Sequence, residues 1–187
     1  ALAHLSEGYF TTSDRDAAVT DEVVHALARS VIAATERILS DPRDYGARAS
    51  MMWSATLSLN GLQSLGYGGI SFPSHAIEHS LSALYDIAHG TGLSVVMPAW
   101  FKYHLEHDGP ERLEKFGKAV FGTGNAEGTI GALEEWFRRI GSPVRLSEAG
   151  VPASDIPRIS GNAMGLIKLW GMDYDRAAVE DILGRAV

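Results

Sequence analysis

The sequence predicts an all-α fold built from packed layers of helices. Three observations predict it. Every long apolar stretch repeats at about 3.6 residues, the period of a helix with one buried face. No segment alternates apolar and polar residues as a half-buried strand does. The stretches are separated by Asp, Asn, Pro and Gly at places where helices start and stop. With 187 residues, 45% of them hydrophobic, the chain has material for one buried core, and it shows no internal repeat.

The elements follow in order. Leu2, Leu5 and Tyr9 share a helix face, so the chain reads as helix from its first residues until Thr11-Thr12-Ser13-Asp14. No capping residue, initiator Met or signal-peptide pattern stands ahead of that helix, which predicts further residues upstream. A second helix runs from Thr20 to Ser40, with Val24, Leu27, Val31, Thr35 and Ile38 as its buried stripe and Asp41-Pro42 as its stop. A third starts near Asp44, carries Met51, Met52, Ala55 and Leu59, and ends at Gly61. The glycines of Gly66-Tyr67-Gly68-Gly69 follow no strand and read as a loop, not as a phosphate cradle.

A fourth helix covers Ser74 to about Tyr85. The fifth covers His89 to Tyr103, with Leu93, Val96, Met97 and Trp100 buried and Pro98 kinking it. Pro110 takes the first position of a sixth helix that ends near Phe121. Asn125 caps a seventh, whose face carries Ile130, Leu133, Phe137 and Ile140. Residues 142–172, rich in Gly, Pro and Ser, read as loops with short helical turns. A last helix spans Asp175 to Arg185.

Charge and composition exclude several functions. Sixteen Lys+Arg against 23 Asp+Glu leave a formal net charge of -7, the wrong sign for nucleic acid or an anionic membrane surface. The absence of Cys excludes disulfides, thiolate metal sites and thiol nucleophiles. No apolar run approaches the roughly 20 residues of a membrane span.

The chemistry lies in the histidines. Seven occur, at positions 4, 25, 75, 79, 89, 104 and 107. His75 and His79 share one helix face, a weak signal by itself because it lacks the Glu of a zinc-peptidase HExxH. His89 strengthens it. On one unbroken helix it would stand about 21 Å from His75, whereas ligands of one metal ion approach within about 4 Å. A shared ion therefore requires a break between them. Asp86 can cap a new helix, and Gly90 and Gly92 remove side chains where chains cross. With His4 from a separate helix, three imidazoles would form an open site. His25, His104 and His107 read as locally satisfied, the last two as solvated.

The stretch Phe72-Pro73-Ser74-His75-Ala76-Ile77-Glu78-His79, continued by Asp86-Ile87-Ala88-His89-Gly90-Thr91-Gly92-Leu93, resembles the signature of the iron-containing (group III) alcohol dehydrogenases, near their butanol dehydrogenase branch. Supporting segments are Asp41-Pro42, Tyr45-Gly46-Ala47-Arg48, Met52-Trp53, Asn60-Gly61 and Val96-Met97-Pro98-Ala99-Trp100-Phe101-Lys102-Tyr103. The resemblance spans essentially the whole chain.

The resemblance implies the all-helical C-terminal domain of a dehydroquinate synthase-like fold over residues 1–187, with the N-terminal α/β domain that binds NAD or NADP outside this chain. It implies His4, His75 and His89 as ligands of a divalent metal, Fe²⁺ first and Zn²⁺ second. The Asp of the family's Asp-x-x-x-His would fall immediately before Ala1. By the same resemblance His79 lies at the nicotinamide and substrate as an active-site residue, and Phe72 shapes the substrate pocket. The implied reaction is reversible alcohol–aldehyde or ketone interconversion in a cytoplasmic homodimer acting on small molecules, with the chain inactive by itself. The rival reading is a non-catalytic helical metal-binding or interaction module, favoured by the absence of a G-x-G-x-x-G motif.

Overall fold

The structure is a computed structural model that describes residues 1–187. Nine α-helices and three short 3₁₀ turns make up its regular elements, and there is no strand. The helices are α1 (Leu2–Thr11), α2 (Ala18–Ser40), α3 (Tyr45–Leu57), α4 (Pro73–Tyr85), α5 (His89–Asp108), α6 (Glu111–Val120), α7 (Ala126–Arg139), α8 (Ile156–Leu169) and α9 (Arg176–Gly184). None is long and apolar enough to cross a membrane.

Local chemistry explains most of the boundaries. The Asp44 side chain accepts from the Ala47 N–H at 2.9 Å and starts α3, Asn125 does the same for Gly128 at 2.7 Å in α7, and Asp175 for Ala178 at 2.8 Å in α9. Gly141 and Gly171 follow α7 and α8 with positive φ, the conformation that ends helices and that glycine adopts without strain. Pro98 leaves α5 continuous to Asp108.

Four expectations are corrected. Residues 142–172 do hold short helical turns, at Ser147–Ala149 and Ala153–Asp155, but they also hold a full helix, α8, over 156–169. Its glycines hid it, yet a side chain at Gly161 or Gly165 would meet nothing within 4 Å, and Ile159, Ala163 and Ile167 still fall on one buried face. On α3 the buried residues are Ala47 and Ser54; of the predicted Met51, Met52, Ala55 and Leu59 only Met51 packs, half-buried, against the core, and Leu59 lies past the helix end at Leu57. Pro110 is the cap before α6, not its first residue. Asp86 does not cap α5 but closes α4 in the left-handed conformation (φ 53°), which a short polar side chain tolerates.

The core is one contiguous cluster running through every helix but α3, with Trp100, Phe101, Phe10, Tyr9 and Phe116 among its largest members. Helix α1 lies against α2 and α4, α4 against α5 and α8, and α5 against α7 and α9. Helices α1, α4 and α5 thereby bring their N-terminal halves together, and those halves carry His4, His75, His79 and His89.

Candidate metal centre

Helix α4 ends at Tyr85 and α5 begins at His89. The turn between them folds His89 back over the start of α4. The ring centroids of His75 and His89 are 5.3 Å apart, those of His4 and His75 4.3 Å, and those of His79 and His89 5.3 Å. Four imidazoles from three helices thus form one continuous group. Phe72 stands edge-on to His4 and His75 at 6.0 and 5.7 Å, and Trp170 edge-on to His79 at 5.9 Å, so aromatic rings wall the group on two sides. His75 is buried, His4 half-buried, and His79 and His89 are exposed, which leaves the group open on one side.

Two glutamates that the sequence reading did not single out hold this arrangement. Glu7, on α1 and fully buried, bonds through Oε2 to His75 Nδ1 on α4. Its Oε1 accepts from the backbone N–H groups of Ser74, at 2.5 Å, and His75, at 3.3 Å. Those are first-turn donors that α4 cannot satisfy itself, so Glu7 caps α4 from another helix. Glu78, on α4 and fully buried, bonds through Oε2 to His89 Nδ1 on α5, while Ser82 donates to its Oε1 at 2.5 Å. Each helix's glutamate secures the histidine of the next. A sequence signal existed: His4-x-x-Glu7 and His75-x-x-Glu78 repeat the same spacing.

A carboxylate at Nδ1 makes that nitrogen the proton-bearing one and leaves Nε2 with a free lone pair. His75 Nε2 is buried and has no hydrogen-bond partner. A buried nitrogen without a partner is costly, and a bound cation is one way to satisfy it. Burial, then the neighbouring His75 charge, lowers the His4 pKa to about 4, so His4 is neutral at pH 7. Burial likewise lowers that of His79, against the opposing pull of Glu78. Neutral imidazoles are the form that ligates metals. Burial pushes the Glu7 carboxyl up, and its hydrogen bonds from His75 and Ser74 pull it back.

The tightest grouping of donor atoms, within 4.8 Å of one another, is Glu78, His79 and His89. It differs from the set of His4, His75 and His89 implied by the family resemblance. Glu78 is fully buried behind His89 with both oxygens engaged, which makes it the support of a ligand more than a ligand.

The other histidines behave differently from expectation. His25 is not satisfied locally: it is fully buried between Tyr9 and Phe116, its ring nitrogens have no hydrogen-bond partner, and Glu22 stands 3.6 Å away. His104 is not solvated but buried against Phe10 and Trp100, with Nδ1 2.9 Å from Asp108. The helical period rotates it inward although Lys102, Glu106 and Asp108 stand close by in sequence. His107 is exposed and stacked on Tyr103.

Residues 1–185 match the family model described as Fe-containing alcohol dehydrogenase family, C-terminal. The chain belongs to the Fe-containing alcohol dehydrogenase family. Among its relatives in this family, NADH-dependent butanol dehydrogenase A of Clostridium acetobutylicum is 33% identical over 181 residues, covering 89% of this chain and 46% of that protein. The NADPH-dependent aldehyde reductase of Escherichia coli is 28% identical over 164 residues, covering 85% and 42%. The crystal structure of NADH-dependent butanol dehydrogenase A from Thermotoga maritima superposes with a TM-score of 0.91 at 39% identity, covering all of this chain and 50% of that one. The chain spans about half the length of the curated relatives it matches.

Proposed function

We propose that this chain is the metal-binding domain of an NAD(P)-dependent alcohol dehydrogenase that interconverts small alcohols and aldehydes. The observation that carries the reading is His75: a buried imidazole whose Nδ1 is tied to Glu7, whose Nε2 has no partner and whose ring lies beside those of His4 and His89. This donor set fits a divalent ion, Fe²⁺ or Zn²⁺, because neutral imidazoles suit both and ligand type does not separate them. His4, His75 and His89 would hold it. When bound, the ion would contribute Lewis-acid polarisation at the substrate oxygen and NAD(P) would contribute the hydride chemistry.

The chain's own residues do the rest. Glu7 and Glu78 fix the tautomers of His75 and His89 and so present Nε2 at both. His79, exposed at the open side with a lowered pKa, is neutral at pH 7 and accepts the alcohol proton or returns it at the substrate oxygen. Phe72 and Trp170 exclude water from either flank and limit the width of substrate. By the family resemblance, NAD(P) would be held in the main by an α/β domain outside these residues, which themselves carry no G-x-G-x-x-G motif. The names of the relatives support an alcohol or aldehyde as the substrate class.

The experiment pairs calorimetric titration with Zn²⁺ or Fe²⁺ and an assay of NAD(P)H-dependent aldehyde reduction. The 187-residue chain should bind the ion weakly and reduce no aldehyde while remaining helical by circular dichroism. Extension upstream through an Asp preceding Ala1 should tighten binding, because it adds an anionic ligand. Tight binding that survives both His75→Ala and His89→Ala would place the site elsewhere and return the chain to the non-catalytic reading.

A further inference from the structure

Gly92 sits in the first turns of α5, three residues after His89, and is buried. Its φ lies outside the left-handed region, so backbone conformation gives no reason for glycine there. Helix propensity favours alanine at such a position. Space gives the reason. A Cβ on Gly92 would stand 2.5 Å from Glu78 Oε1, 2.6 Å from Cγ and 2.9 Å from Cδ. Cγ and Cδ belong to the middle of the side chain, and the carboxylate beyond them is held at Oε1 by Ser82 and at Oε2 by His89, so neither part yields without breaking those bonds. Gly90 provides the contrast. It lies in the same turn, and a Cβ there would meet nothing within 4 Å.

We propose that Gly92 and Glu78 form a matched pair that positions His89: the missing side chain at 92 is the slot into which Glu78 reaches to hold Nδ1 of His89. Both are positioning residues, since neither need touch substrate or metal. Glu78 accepts the Nδ1 proton of His89 and leaves Nε2 as the free nitrogen of a ring whose centroid is 5.3 Å from those of His75 and His79. A methyl group at 92 expels the carboxylate, and His89, half-exposed at the open side, loses its only hydrogen bond and the fixed tautomer that goes with it. The binding readout rests on the metal reading of the site, whereas the tautomer of His89 does not.

The test is a double-mutant cycle on the protein, with Gly90→Ala as control, read by Co²⁺ titration and by ¹⁵N chemical shifts of the His89 ring without metal. Gly92→Ala should weaken Co²⁺ binding about tenfold to a hundredfold, the range seen when the partner of a ligating histidine is removed. Gly90→Ala should stay within about twofold. Glu78→Ala should weaken binding as much as Gly92→Ala, and adding Gly92→Ala to Glu78→Ala should change nothing further, because the clash has gone. Helicity and thermal midpoint confirm folding, and in the Glu78→Ala background Gly92→Ala should raise the midpoint.

The ¹⁵N shifts should show His89 protonated at Nδ1 in the parent and mixed between tautomers in Gly92→Ala. Equal effects of Gly92→Ala in both backgrounds, or an unchanged His89 tautomer, overturn the pairing. If no variant and no parent binds Co²⁺, the metal reading fails, and the ¹⁵N shifts still decide the pairing.

Discussion

Histidines occupy two regions of this molecule, and the regions treat them in opposite ways. At the α1–α4–α5 junction the rings of His4, His75, His79 and His89 face one another, and two of them are clamped by buried glutamates. In the core, His25 and His104 sit singly among Tyr9, Phe10, Trp100 and Phe116 and serve as filling between aromatic rings. Both regions bury imidazole. His104 also has a carboxylate at Nδ1, that of Asp108 at 2.9 Å, but Asp108 is exposed and the His104 ring packs against Phe10 and Trp100, whereas Glu7 and Glu78 are fully buried and their histidines lie beside other imidazoles. A buried carboxylate together with neighbouring imidazoles, not burial alone, therefore distinguishes a candidate ligand from a packed side chain.

The contrast can be broken most directly at the ligands. His75→Ala should reduce affinity for Zn²⁺ by at least about a hundredfold, while His104→Phe leaves it within about twofold, as calorimetry would measure. Equal losses would erase the distinction between the regions.

Glu7→Ala tests the clamp itself. It removes the acceptor of two backbone N–H groups and of a buried ring nitrogen, so urea unfolding should show a loss of about 2–4 kcal/mol. A loss under about 1 kcal/mol would mean that α4 needs no cap from α1.

Acid sharpens the core side of the comparison. Burial lowers the pKa of both His25 and His104 from the ordinary 6.5, against the opposing charges of Glu22 and Asp108. The unfolded chain then binds protons that the folded chain refuses, so these groups make stability fall as pH drops below about 6.5. His4 acts in the same sense over the window from 6.5 to about 4. The raised Glu7 carboxyl pulls the other way, so the informative quantity is a difference between proteins. His25→Leu should lose less stability between pH 7.5 and pH 5 than its parent, measured by the urea midpoint. Identical slopes would show that His25 takes up its proton at the same pH in the fold as in the unfolded chain.

The smallest effect belongs to His107, exposed and stacked on Tyr103. His107→Ala should change stability by less than about 0.5 kcal/mol and leave metal binding untouched. A larger change would show that stacking of that ring matters as much as burial of the others.

The sequence by itself determined the helical class, because a 3.6-residue period in α2 and α7 and the caps Asp44, Asn125 and Asp175 act within a few residues of chain. It also determined that His75 and His89 could share a site only across a break, since rise per residue is a local quantity. It did not reveal α8, where Gly161 and Gly165 face open space and Ile159, Ala163 and Ile167 supply the packing that makes the helix. Nor did local pattern tell that Met52 and Trp53 lie outward while His104 lies inward, because a periodic stripe does not say which face meets a neighbour. Only the tertiary structure decided the clamps. Glu7 and His75 are 68 residues apart, and Glu78 reaches His89 only because α5 turns back and Gly92 leaves the space. Such contacts depend on where three helices cross, and no spacing along one helix encodes that crossing.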